Sequence, residues 1–266
     1  MSTGRMVLGS VIAVLLLVVI PALVSDSVGP SVSTRVSASG EARSTFAIAH
    51  GPSVTGSNHT LTKSRAGYTF AGAVGSFIGA WVAQWKVPRF AGNCSSSAPT
   101  EIAYFGVGES ENLTGAYLTA QVGTAVECSA GRVSYFVWYQ FGSHPVRRAP
   151  LAFSPMDVVQ GYVVSNASQV ILVDKSTGAW TNYITGPTQS TAPRLAAILV
   201  ERPSNGGTPA PLPDFGSVLF ENNSPIGSGG LPNATAYDMT TGGTAGLLTH
   251  TGSLLTGLGG FRVDWI

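Results

Sequence analysis

The chain has 266 residues, enough for one sizeable folded domain, and a formal net charge of +1 at pH 7. Only 10% of its residues are charged, against roughly 25% in an ordinary soluble protein, and no block of Lys or Arg is present. That balance excludes the electrostatic footprint of a nucleic-acid or anionic-lipid binder, and the abundance of Gly, Ser and Thr favours strands and turns over surface helices.

Residues 6–25 carry no charge, follow Arg5 and precede Asp26. This run reads as a signal peptide or membrane anchor over residues 1–25, with Arg5 on the cytoplasmic side and the remainder exported, either secreted or tethered. It is the chain's one expected contact with a membrane. Residues 26–63 are rich in Ser, Thr, Gly and Val without sustained periodicity and read as a spacer with room for one edge strand. The folded domain is expected over residues 64–266.

Within that domain short β-branched and aromatic runs recur between turn signals. Strands are expected at 80–87, 102–107, 117–124, 133–141, 158–164, 170–173, 180–184, 195–201, 216–220 and 261–266. No helical periodicity competes with them, so the domain reads as all-β. Two-residue alternation puts Ser134, Phe136, Trp138 and Gln140 on one face, and Tyr117, Thr119 and Gln121 on one face opposite Leu118 and Ala120. A cleft lined by Gln, Trp and Tyr side chains suits an extended peptide or a glycan, through stacking and amide hydrogen bonds.

Six of the nine asparagines begin an Asn-X-Ser/Thr triplet, at Asn58, Asn93, Asn112, Asn166, Asn222 and Asn233. They mark exposed loops of a glycoprotein if the source glycosylates, and polar turns otherwise. The two cysteines, Cys94 and Cys128, are expected to form a disulfide in an exported chain, a metal site or a nucleophilic thiol being the alternatives. His50, His59, His144 and His250 are scattered singly, and no P-loop, dinucleotide fingerprint or zinc-protease helix is present. Neither a metal nor a cofactor is expected.

Several segments occur in the order seen in the glutamic peptidases (eqolisins), over about three quarters of the chain. Ala83-Gln84-Trp85-Lys86-Val87-Pro88 resembles that family's A-x-W-x-V-P strand, and Tyr104-Phe105-Gly106-Val107-Gly108 its W-V-G-I-D/G segment. Gln121-Val122-Gly123-Thr124 is similar to Q-x-G-T, and Ser134 to Gln140, after Cys128, to S-Y-Y-A-W-Y-E. Ser154 to Asp157 resembles S-P-G-D, Ala196 to Pro203 resembles A-E-W-I-V-E-x-P, Asp214 to Val218 resembles x-F-G-x-V, and Phe261 to Trp265 resembles F-x-V-x-W. The resemblance implies a concanavalin-like jelly roll, a sandwich of two antiparallel sheets with a substrate groove across the concave one. In the family a glutamate acts as general base on water, and a glutamine stabilises the oxyanion without titrating in acid.

On this mapping Gln121 is the retained family glutamine. Ala197 replaces the catalytic glutamate, Gln140 replaces a second family glutamate, and Arg65 stands where a tryptophan is expected. The cleft would comprise Arg65, Tyr117, Thr119, Trp138 and Glu201. The resemblance thus implies a pseudoenzyme whose groove binds peptide or glycan. The alternative is an active acid endopeptidase using Gln121 with a relocated carboxylate such as Glu201, about 13 Å along the strand from Ala197. A structural protein with a vestigial groove, or a lectin or glycosidase, rests on fold analogy alone, and the groove strands supply too few carboxylates for glycoside hydrolysis.

Overall fold

The computed structural model describes residues 59–71, 80–110, 118–142, 144–164, 169–184, 195–205, 208–226, 234–241, 246–255 and 259–266. The export segment, the spacer as far as residue 58, Tyr117, and the sequons at Asn58, Asn112, Asn166 and Asn233 lie outside them. Among the described residues no helix is long and apolar enough to cross a membrane.

Seventeen strands are present among these residues: β1 (Thr60–Thr62), β2 (Arg65–Ala71), β3 (Ala80–Lys86), β4 (Glu101–Ser110), β5 (Ala120–Ser129), β6 (Arg132–Phe141), β7 (Arg147–Ala149), β8 (Val158–Val164), β9 (Gln169–Asp174), β10 (Trp180–Ile184), β11 (Leu195–Glu201), β12 (Ser204–Asn205), β13 (Thr208–Pro209), β14 (Ser217–Ile226), β15 (Ala234–Met239), β16 (Thr249–Thr251) and β17 (Phe261–Trp265). They form an eight-stranded sheet in the order β1-β15-β2-β11-β4-β5-β6-β7, a seven-stranded sheet in the order β10-β9-β8-β3-β14-β17-β16, and the small pair β12-β13. The expected all-β sandwich is therefore the fold. Every strand pair is antiparallel except β1 with β15, which run parallel. β1 is the edge strand for which the spacer had room, so the sheet begins four residues before the expected domain start.

The two-residue period divides the eight-stranded sheet cleanly. One face sends Tyr68 and Phe70 from β2, Phe105 and Val107 from β4, Val122 and Val126 from β5, and Ile198 and Val200 from β11 into the core. The seven-stranded sheet answers with Trp81, Trp85, Phe220 and Phe261, and aromatic pairs such as Phe70 on Trp81 and Tyr68 on Phe261 join the layers. The Trp85 indole N–H donates to Thr124 Oγ1 at 2.9 Å, a buried hydrogen bond between the sheets. This bond physically links the A-x-W and Q-x-G-T segments.

Glycines admit two close approaches. Gly106 and Gly123 are cross-strand partners beneath Trp138, and a Cβ on Gly123 would collide with the Phe105 carbonyl, while one on Gly106 would press on the Trp138 ring. The turn from β5 to β6 places Ala130 and Gly131 at φ of 49° and 76°, as a two-residue hairpin requires. A bulge between Glu221 and Ser224 turns Asn222 outward into solvent. Cys94 and Cys128 are joined in a disulfide, which ties the loop after β3 to β5.

Candidate functional site

The other face of the eight-stranded sheet carries the groove. Strand register lines up Thr69 on β2, Ala197 on β11, Gly108 on β4, Gln121 on β5 and Gln140 on β6 in one row across the sheet. Directly opposed residues point to the same face, so these side chains share the groove floor. One step toward the far end of the sheet the row is Gly67, Leu199, Gly106, Gly123 and Trp138, and the next is Arg65, Glu201, Tyr104, Ala125 and Phe136. A cavity of about 350 Å³ runs along these rows, with Arg65, Tyr104, Leu118, Gln121, Trp138, Gln140 and Glu201 in its lining.

The two glutamines are locked together. Gln121 donates from Nε2 to Gln140 Oε1 at 2.5 Å, and Gln140 in turn donates to the His144 carbonyl at 2.6 Å. Both amides are therefore oriented, leaving Gln121 Oε1 as an acceptor on a side chain only 8% exposed.

Ala197 lies two strands from Gln121 with Gly108 between them. It is buried in an apolar cluster with Leu118, Leu195 and Leu199. A Cβ on Gly108 would meet Leu118 Cδ1 at 2.6 Å, so the Leu118 side chain occupies the space that the glycine leaves open. The void that remains, bordered by Leu118, Gln121, Trp138, Ala197, Leu199 and Glu201, is about 10 Å³, room for one water molecule at most.

Leu118 was expected on the opposite face from Gln121. The regular strand starts only at Ala120, so alternation does not extend back to Leu118, which folds over the groove floor. Thr119 is not part of the groove lining. Both its amide and its hydroxyl donate to the Glu109 carbonyl. Trp138 is 2% exposed and donates its indole N–H to the Thr124 carbonyl. It packs with Ile102, Ala125 and Phe136 beneath Tyr104 and Val146, as floor rather than as a stacking platform.

At the far end, Arg65 and Glu201 are direct cross-strand partners, with Nε to Oε1 at 3.8 Å. Burial pushes the Glu201 carboxyl above its ordinary value, and the Arg65 guanidinium opposes the shift. Arg202 does not pair with Glu201. Its guanidinium donates to the carbonyls of Lys63, Ala210 and Thr240, clamping three segments together, and burial lowers its pKa. Burial, reinforced by the Glu127 charge and opposed by Arg148, raises the Tyr104 hydroxyl, which keeps it a neutral donor at the groove wall.

The histidines, scattered in sequence, are not all separate in space. His59 and His250 converge on Asp238 at the sheet edge, a cluster that no local spacing reveals.

With this geometry in view, the sequence profile of the peptidase A4 family matches residues 63–256. The chain belongs to the peptidase A4 family. Its fold is similar to that of a scytalido-glutamic peptidase bound to a peptide-based transition-state analogue, with a TM-score of 0.60 and 18% identity over 78% of this chain and 100% of that one. It is likewise similar to SCP-B, described as an eqolisin, in complex with the tripeptide Ala-Ile-His, at 0.57 and 17% over 78% and 100%. Aspergilloglutamic peptidase from Aspergillus niger matches at 0.51 and 19%, over 62% and 99%. A search of curated protein sequences finds no match. Seen as an A4-family chain, the Q-x-G-T segment divides its work by face: Gln121 points to the groove, Gly123 admits the neighbouring backbone, and Thr124 holds Trp85 in the core.

Proposed function

We propose that this chain is an exported, non-catalytic member of the glutamic peptidases that holds an extended peptide segment in its groove. One observation carries the reading: Ala197, which the motif resemblance sets at the family's catalytic glutamate, is buried beneath Leu118 in a row with Gln121. An alanine neither accepts a proton from water nor returns one to a leaving amine, and loss of a positioned acid–base group removes about 10²–10⁴ in rate.

What the groove retains is suited to binding. Gln121 and Gln140 are oriented amides, Arg65 offers a positive charge, Glu201 a carboxyl group and Tyr104 a hydroxyl. Such groups satisfy the backbone of an extended chain. Two solved relatives hold peptidic ligands, which supports a peptide in preference to a glycan. So does the burial of Trp138, since little aromatic face is left for a sugar ring. The test is fluorescence anisotropy with a labelled, reduced and carboxymethylated protein at pH 4, with electrophoresis of the same samples. Saturable binding without fragments, weakened at least tenfold by Gln121→Ala with Gln140→Ala, is the expected result. No saturation, or saturation by oligosaccharides alone, removes the peptide reading.

The second reading, an acid endopeptidase using Gln121 with Glu201, is favoured by one observation: Glu201 lines the same cavity and its carboxyl is shifted upward. Against it, Glu201 stands in the row of Ala125, four residues along β5 from Gln121, about 13 Å of backbone, and its carboxyl group faces Arg65 at 3.8 Å.

A further inference from the structure

His59, just before β1, Asp238 on β15 and His250 on β16 come from three distant parts of the sequence and present three donor atoms within 4.8 Å of one another. His59 Nδ1 donates to Asp238 Oδ2 at 2.7 Å, and His250 Nδ1 lies 3.6 Å from the same oxygen. The two imidazoles stack, with centroids 5.4 Å apart and planes 12° apart. The other carboxylate oxygen, Oδ1, accepts the Thr251 amide at 2.7 Å, which fixes the orientation of a side chain only 7% exposed.

We infer that these three residues form a site for a divalent transition metal of the zinc type, which fastens the start of the folded domain to both sheets. Two imidazoles and one carboxylate are a borderline-soft donor set. It suits Zn²⁺ over Mg²⁺ or Ca²⁺, which take oxygen ligands. Tetrahedral Zn²⁺ with bonds of about 2.0–2.1 Å needs donors roughly 3.3 Å apart, within small rotations of the two observed separations. The Thr251 amide acts as the outer support that positions a metal-binding carboxylate. The site's placement indicates its role. His59 and Asp238 belong to the edge of the eight-stranded sheet and His250 to the edge of the seven-stranded sheet. A bound ion would therefore close the sandwich at the point where the N-terminal segment enters it. The cluster lies outside the groove lining, so this inference stands or falls independently of the peptide-binding reading.

The full chain, without a histidine tag and stripped with chelator, is titrated with ZnCl₂ by calorimetry and with Co²⁺ by visible absorption. The expected outcome is one equivalent of Zn²⁺ with a Kd of about 10 μM or tighter, Co²⁺ bands of tetrahedral intensity, and a Tm rise of roughly 5–10 °C at a hundredfold excess over Kd. His250→Gln alters an exposed side chain and should weaken binding at least tenfold, while His59→Ala with His250→Ala should abolish it. The absence of saturable binding up to 100 μM Zn²⁺, or unchanged binding by His250→Gln, overturns the assignment.

Discussion

Ala197 and Gln121 stand in the same row across the groove sheet, separated by Gly108 alone, and the Leu118 side chain lies over the gap between them. On the proposed assignment of Ala197 to the catalytic glutamate position, the space between the two residues is filled as well as lacking a carboxylate on Ala197.

Ala197→Glu alone should therefore fail to create activity. The new side chain would enter a void of about 10 Å³ bordered by Leu118, Leu199 and Glu201, combining overpacking with a poorly solvated charge, at a cost of about 2–4 kcal/mol. Adding Leu118→Ala to the single variant should recover part of that stability, as read by urea denaturation. Activity, if it is recoverable, should need Ala197→Glu, Leu118→Ala, Gln140→Glu and Arg65→Trp together. Full activity from Ala197→Glu alone would show that Leu118 does not obstruct the site.

Glu201 predicts a pH dependence. Its folded pKa lies above the ordinary value of 4.5, so the folded state binds the proton more tightly than the unfolded state does. The associated stability is fully present below pH 4.5 and is lost as pH rises through the shifted value. Glu201→Gln keeps the shape without the titration. The Tm of wild type minus that of Glu201→Gln should therefore fall between pH 4 and pH 7, and fall further in the Arg65→Met background, where the opposing charge is gone. A difference independent of pH would show that Glu201 is well solvated.

The strands that make up most of both sheets can be read from alternation and turn residues, and the motif order sets Gln121, Gln140 and Glu201 on the strands that line the groove. β15 and β16 could not be read this way. β16 is Thr249-His250-Thr251, which looks like a polar loop. Thr249 and Thr251 are nevertheless fully buried, because the Thr251 hydroxyl donates to the Tyr237 carbonyl and accepts the Gly67 amide at the corner between the sheets. β15 contains Asp238, an unlikely core residue until its partners His59 and Thr251 are in place. Leu118 lies on the groove side rather than opposite Gln121 because β5 starts at Ala120, three residues later than the alternation suggests.

Thr124→Val tests the link between sheets. The substitution keeps the volume but removes the acceptor of the Trp85 indole N–H in a buried setting. A loss of about 1–3 kcal/mol in denaturant-monitored stability is expected, with no change in peptide binding. A loss below the error of the measurement would mean that the indole finds another partner.

The Cys94–Cys128 disulfide closes a loop with a sequence separation of 34. Replacing both cysteines by serine should lower stability by about 3–4 kcal/mol in the chain-entropy account. Thiol labelling of the non-reduced protein should find neither cysteine free.

The most direct test of the proposed loss of chemistry is digestion of an unfolded protein by the purified wild-type chain between about pH 2 and 5, the range around unperturbed carboxyl pKa values, followed by mass spectrometry. The account predicts no cleavage above the buffer control, and the same null result for Gln121→Ala and Glu201→Gln. Efficient cleavage by wild type that Gln121→Ala abolishes would contradict it and move the catalytic carboxylate elsewhere in the groove, with Glu201→Gln as the deciding variant.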